Sequence, residues 1–459
     1  MSIGFLALAR QTFDVPFAAA TASDALMSLK GATNADVIGD AALAMDAEAV
    51  ASQAEALAER EPTAAVIFQA TFADSTLVRE AAEALDCPLI LWAVPEKRTG
   101  GRLRLNSLCG INLAAYVLAR EDVDYRWLYR SPDDPSAKSE LQRAISSGAS
   151  EWASPAAASE PEAITEAPTL TGKTIGLIGD RPEGFEPCDF EPGELNTRFG
   201  VKVDRVELAD LFAAGDAGET DSVDALRARL DDAMTGLADV DQDALDRSLR
   251  LYLGLASLAD QRQWQGVATR CWPECFTEFG GAACAGNSLL TSEGLPGCCE
   301  ADVYGDVTAL LLQEVADLPP FVADLVDVDR KTNSAVFWHC GLAAQELAPD
   351  GMRPSATVHS NRRKPLLNEF PLRPGRVTIT RLSQSRGQQR MLLTAGEMLD
   401  DPLPFSGTSG VARLDADVDV ALDTIMAHGL EHHYGIAYGD HRDKLRAYAA
   451  SVDIEVIDL

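Results

Sequence analysis

Short apolar runs alternate with helical stretches through the first third of the chain. IGFLALA (3–9), TAAVIFQA (63–70) and CPLILWAVP (87–95) read as buried strands, with helical sequence between them, as near residues 47–60. That alternation predicts βα units and a parallel sheet. RTGGRLRLNSLCG (98–110) follows the last of these strands at its C-terminal end, where open α/β sheets place ligands, and leads into a helix over about 111–120.

A second α/β unit opens with TGKTIGLIGD (171–180). It continues through a helix across GELNTRFG, a strand at VKVDRVEL, helical spacing over 222–260 and a helix at DVTALLLQEVA (306–316). The pattern then changes. AVFWHCG (335–341), RVTITRLS (376–383) and QQRMLLTAGEML (388–399) read as strands, and the tail returns to helix and strand. The expected fold is α/β, with two N-terminal parallel-sheet α/β domains (1–150 and 171–320) followed by a β-containing C-terminal domain (321–459). Residues 151–170 are poor in bulky aliphatics and rich in Ala, Ser, Glu and Pro, and read as an exposed linker.

Composition narrows the function. A chain of 459 residues is too long for one core. The formal net charge of −32 argues against nucleic acid and anionic membrane as partners, since both need a basic surface. No stretch reaches the eighteen or so apolar residues of a membrane span, and nothing reads as a signal peptide, so a cytoplasmic protein is expected. Nine cysteines, an odd number in such a chain, read as reduced thiols. Cys271, Cys275, Cys284, Cys298 and Cys299 cluster in sequence, but without the paired short knuckles of a structural zinc site, so burial as small packing residues is the expectation.

The chemistry-bearing residues lie late in the chain. Glu300 and Asp302 sit at the mouth of a helix, Asp324 follows a short apolar strand, and His339 ends another. Four of the six histidines (428, 432, 433 and 441) fall in one short segment near the C-terminus. Two carboxylates and two imidazoles on strand ends or loops can form a mixed O/N site for Mn²⁺ or a related divalent ion. Each residue taken singly also has a structural reading, as a helix-terminal acid, a cap or a turn residue.

Order and spacing add to this. The run E-x-D followed by T-A-L-L (Glu300, Asp302, Thr308, Ala309, Leu310, Leu311), an acid 24 residues after Glu300, His339 in WHCG and the tail HHYGIAYGDHRDKLRAYAASVDIEVIDL resemble the L-fucose and L-arabinose isomerases. The resemblance implies a metal-dependent aldose–ketose isomerase. Glu300, Asp324, His339 and His433 would hold Mn²⁺, or another divalent metal such as Co²⁺ or Mg²⁺. Glu300 and Asp324 would also move a proton between C1 and C2 through a metal-stabilised enediolate. Asp302 is read either as a hydrogen-bond partner of a ligand or as a helix N-terminal acid, and His432 as a supporting or packing residue. A homo-oligomer, trimer or hexamer, is implied, with the RTGGR loop able to reach a neighbouring site.

The substrate expected is a pentose, a 6-deoxyhexose or a 6-substituted, for instance sulfonated, hexose. Arg10, Arg98, Arg102 and Arg104 form the most basic patch of an acidic first domain. They read as anion-binding groups or as solvated and subunit-contact arginines. Arg10, Arg98, Asn106, Trp272 and Trp338 are the candidate substrate contacts, with Trp264 a further candidate wall. His359, in an Arg/Lys-rich segment, reads as a solvated surface histidine. Two other classes stay open: a sugar-binding receptor without turnover, and a metal-dependent hydrolase or aldolase.

Overall fold

The computed structural model describes residues 2–160 and 167–459 and gathers the strands into three sheets. The first is parallel throughout, in the order Asp36–Ile38, Ser2–Leu8, Ala64–Gln69, Leu89–Ala93, Tyr125–Tyr129. Helices cover both faces of such a sheet, so Ala64–Gln69 and Leu89–Ala93 are buried along their whole length and read as unbroken apolar runs. The second sheet is also parallel, in the order Gly297–Cys298, Gly266–Thr269, Thr174–Ile178, Lys202–Val206. The third has ten strands, mostly antiparallel, with Phe321–Asp329 and His433–Tyr438 near its middle. This is the α/β architecture that the chain's periodicity predicts.

Most described residues of 151–170 are exposed, and the stretch is tied down at two points. Trp152 is buried edge-on against Trp127, and Ala158–Ser159 pairs antiparallel with Glu455–Asp458 at the rim of the third sheet. An open strand edge offers unpaired backbone groups that almost any sequence can satisfy, so composition alone does not reveal the pairing. The central part of the linker, 161–166, lies outside the described residues. Among the described residues no helix is long and apolar enough to cross a membrane.

The helix Val303–Gln313 joins the second and third sheets, packing on Gly266–Thr269 from one side and on Gly375–Ser383 and His433–Tyr438 from the other. It is buried from Val303 to Leu312, which explains its apolar sequence. Gly266 allows the close approach, because a Cβ there would lie 2.3 Å from Asp306 Oδ2. Asp302 caps the helix, accepting a hydrogen bond from the Gly305 N–H at 2.8 Å.

The same carboxylate receives two hydrogen bonds from Arg381 of the third sheet, at 2.7 and 3.1 Å, and both residues are fully buried. Arg381 Nε also lies 4.0 Å from buried Glu431. Removing one partner of a buried pair leaves the other charge without compensation. Arg381→Met is therefore expected to lower the stability of the metal-free protein by about 3–5 kcal/mol in urea unfolding. Although burial alone would raise it, Asp302 sits well below the ordinary aspartate range because of the Arg381 charge and the His433 hydrogen bond. A depressed carboxyl contributes stability above its unfolded pKa, about 3.9, and loses it as the pH falls. The stability gap between wild type and Arg381→Met should accordingly narrow below about pH 4.

Candidate metal centre and active site

Three of the candidate ligands are brought together by backbone pairing. Asp324 lies directly opposite His433 on one neighbouring strand and opposite Trp338 on the other. His339 ends the strand Ser334–His339, one residue beyond Trp338. Glu300 arrives from the second sheet, just after Gly297–Cys298, in a turn where Glu300 and Ala301 both have positive φ (61° and 56°). Such a backbone is disfavoured for residues with a Cβ, and here it aims the Glu300 carboxylate at the third sheet.

His433 is the centre of the arrangement. Its Nδ1 lies 2.8 Å from Asp302 Oδ2, while its Nε2 lies 3.5 Å from both Glu300 Oε2 and Asp324 Oδ1. Burial, reinforced by the neighbouring His432, lowers His433 to about 4, so the ring is neutral at pH 7. With the Nδ1 proton directed at Asp302, Nε2 presents a lone pair to two carboxylate oxygens. Nε2 and Asp324 Oδ1 are buried without a hydrogen-bond partner. Two unpartnered buried polar atoms beside a third acceptor are unfavourable, and a cation among them would relieve the arrangement. A divalent ion about 2.1 Å from each ligand atom would hold those atoms about 3–3.5 Å apart, so the residues present fit a divalent metal.

The two carboxylates differ. Asp324 is raised well above the ordinary range by burial and by the Glu300 charge. The Glu300 side chain, 17% exposed, is likewise pushed up by desolvation, but the His432 hydrogen bond and the charges of His433, His432 and His339 bring it below the ordinary range. His432 Nε2 lies 3.0 Å from Glu300 Oε2. Cys188, Glu300, His432 and His433 place one ligand atom each within 4.8 Å of one another, a buried cluster able to hold a divalent ion. Cys188, from the short helical turn Glu186–Cys188, gives no signal in the sequence, where it stands alone between a Pro and an Asp. His339 stands on the opposite wall, its ring 5.6 Å from that of His433 and its Nδ1 accepting the Cys340 N–H at 2.9 Å.

A cavity of about 1010 Å³, including its mouth, opens onto Glu300, Asp324, His339 and His432. Arg10, Asn106, Trp272 and Trp338 line it. Asn106 is buried with its Oδ1 unpartnered. The Trp272 indole nitrogen is 3.4 Å from Glu300 Oε1, whereas Trp338 donates to the Ser406 carbonyl and offers the cavity its ring. Arg98 lies outside this cavity, bonded at 2.7 Å to Asp327, which the Tyr129 hydroxyl also holds. Trp264 is elsewhere too, packed on Gly176 and donating to Asp204. Arg102 and Arg104 are bonded to Asn361 and Asp14.

Two residues of the 359–364 segment change its reading. His359 is not a solvated surface side chain. It lines the cavity edge-on to Phe276, and its Nδ1 accepts the N–H groups of Asn361 and Arg362. The Arg362 guanidinium lies 4.8 Å over the Trp272 ring and 5.6 Å over that of Phe276, and no carboxylate among the described residues pairs with it. Arg10, by contrast, forms a salt bridge with buried Asp74. His428 and His441 lie apart from the centre, bonded to the backbone carbonyls of Ala156 and Tyr438.

The cysteines are arranged differently from their order in sequence. Cys298 turns toward Asp306, and Cys275 toward the Arg270 carbonyl at 3.6 Å. Cys340, far away in sequence, joins Cys284 with sulfurs 3.5 Å apart.

The geometry agrees with what the chain is similar to. Residues 4–147 match the family described as fucose/sulfoquinovose isomerase, N-terminal domain, and residues 370–459 match the L-fucose isomerase C-terminal domain. A sulfoquinovose isomerase of Alkalicoccus urumqiensis is 30% identical over 401 residues, covering 87% of this chain and 86% of that protein. Sulfoquinovose isomerases of Priestia aryabhattai and Clostridium sp. (strain MSTE9) are 28% and 29% identical, covering 98% and 86% of this chain and 97% and 86% of their own. The chain belongs to the fucose/sulfoquinovose isomerase family of metal-dependent aldose–ketose isomerases.

Proposed function

We propose that this isomerase acts on a hexose carrying an anionic group at C6, a sulfonate in the first instance, with Glu300, Asp324 and His433 as metal ligands. His339 and His432 complete the surroundings of the ion. The observation that carries the metal reading is the trio of facing acceptors at His433, Glu300 and Asp324. An oxygen-and-imidazole donor set suits Mn²⁺, with Co²⁺ or Mg²⁺ as alternatives. The bound ion supplies Lewis acidity toward the oxygens on C1 and C2.

The chain's own groups do the rest. Glu300 and Asp324 stand on either side of the space before His433, so one carboxylate can take the C2 proton and return it at C1. The other, or His432, can move the hydroxyl proton between O2 and O1. Asp302, anchored by Arg381, fixes the His433 tautomer so that Nε2 stays free for the ion. Trp272 and Trp338 offer apolar walls to the sugar, and buried Asn106 offers an amide to a hydroxyl.

The anionic substituent is supported by charge. In a protein of net charge −32, the cavity holds Arg362 with no carboxylate partner among the described residues. A guanidinium binds a sulfonate or phosphate through two or more charge-assisted hydrogen bonds. Sulfoquinovose, for which the relatives are named, is of this kind.

The test is ketose formation by metal-stripped protein, with and without Mn²⁺, from neutral pentoses, 6-deoxyhexoses and sulfonated or phosphorylated hexoses. Metal-dependent turnover is expected to be highest with the sulfonated sugar and to fall by about 10²–10⁴-fold in Glu300→Gln and Asp324→Asn. Arg362→Met should raise KM for the sulfonated sugar at least tenfold while leaving slow turnover of a neutral hexose unchanged. Equal use of a neutral deoxyhexose would overturn the anionic substrate. Sugar binding without turnover, indifferent to metal, would overturn the isomerase reading.

A further inference from the structure

Two thiols meet in the wall of the active-site cavity. Cys284 opens the helix Cys284–Ser292, which is buried from its first residue to Thr291, and Cys340 follows the strand Ser334–His339. They stand 56 residues apart in sequence, yet their sulfurs are 3.5 Å apart. Both line the cavity, although neither exposes more than 8% of its surface. Resting on the isomerase reading of that cavity, we propose that Cys284 and Cys340 are a redox-modification site. Oxidation by a hydroperoxide joins them in a reversible disulfide that disables the active site.

The step consumes a two-electron oxidant, here hydrogen peroxide. One sulfur attacks the peroxide, the O–O bond breaks, and a sulfenic acid and one water result. The second thiol then displaces the sulfenic oxygen as another water. Two S–H bonds and one O–O bond are lost, and one S–S and two O–H bonds form. A dithiol reductant reverses the step by exchange. The small size of the oxidant suits thiols reached only through the cavity. All nine cysteines are free, so the pair starts reduced.

Closing the bond to about 2.05 Å requires the sulfurs to approach by about 1.5 Å. Cys284 is held in a buried helix, so Cys340 is the partner placed to move. The strand has ended at His339, and the next residue, Gly341, turns with a φ of 98°. Movement of Cys340 carries the active site with it. The His339 Nδ1 accepts the Cys340 N–H at 2.9 Å and lies 3.3 Å from the Cys340 sulfur. The His339 ring is in turn 5.6 Å from that of His433, and Trp338 of the cavity wall is the preceding residue. Packed sites do not deform smoothly, so a shift of this size displaces both rings. Simple burial of two small residues requires no such sulfur contact on the wall of a cavity. Cys275, by comparison, faces the Arg270 carbonyl.

Peptide mapping of the full chain tests this. Metal-free protein purified under reductant is treated with hydrogen peroxide, desalted and alkylated, and a parallel sample is assayed after Mn²⁺ is added. A peptide pair cross-linked through Cys284 and Cys340 is expected. Turnover of the sulfonated hexose should fall at least tenfold and return with dithiothreitol. The same treatment should leave Cys284→Ala and Cys340→Ala with most of their own untreated turnover, whereas Cys275→Ser should lose it as the wild type does. Cys109 and Cys271 also line the cavity. A cross-link through either of them in place of this pair, no cross-link at all, or full turnover by cross-linked protein would overturn the proposal. The map is read without turnover, so protein that cross-links but isomerises no sugar retires the isomerase reading alone. The wild-type map decides even where a cysteine variant fails to fold.

Discussion

The arrangement depends on a buried contact that no neutral protein interior would choose. His433 Nε2, Glu300 Oε2 and Asp324 Oδ1 face one another with two of the three atoms lacking any partner. Everything around them keeps this geometry in place. Strand pairing fixes Asp324 against His433, a disfavoured turn presents Glu300, and the Arg381–Asp302 pair holds the far side of the His433 ring. The protein thus invests folding energy in concentrating acceptors, which makes sense where a cation supplies the missing attraction.

Asp302 links stability to chemistry. Of its two sequence readings, the structure shows the cap, and beside it a contact with His433, the proposed ligand, because one carboxylate has enough lone pairs for the Gly305 N–H, the Arg381 fork and His433. A cap at this position orients the helix that joins two sheets, and the same group sets the tautomer of an imidazole in the centre. Fold and site therefore share one anchor, rather than the site being added to a finished scaffold.

What was legible in the sequence follows from how each feature is encoded. Strands and helices announce themselves by local periodicity, and Glu300, Asp302, His432 and His433 stand in short motifs. Arg362, His359 and Cys188 carry no such mark. Their segments look polar or irregular, and only the long-range packing of residues 359–364 over Trp272 and Phe276 turns a basic surface stretch into a cavity wall. The same limit explains Arg98. A basic loop after a parallel strand suggests an anion site, but Asp327, more than two hundred residues later, takes up that guanidinium.

The segment from Cys298 to Asp302 shows how closely the demands are interleaved. Cys298 turns toward Asp306, Cys299 toward the Asn287 amide, Glu300 into the cavity, and Asp302 into the buried pair with Arg381. A regular strand would send alternate residues to two faces only, and a helix would spread them around one axis. Four environments served by five residues require the left-handed turn at Glu300 and Ala301. The turn is intelligible as the cost of this branching: it is the one local conformation here that propensity disfavours, and it occurs where the chain passes between its two sheets and its cavity.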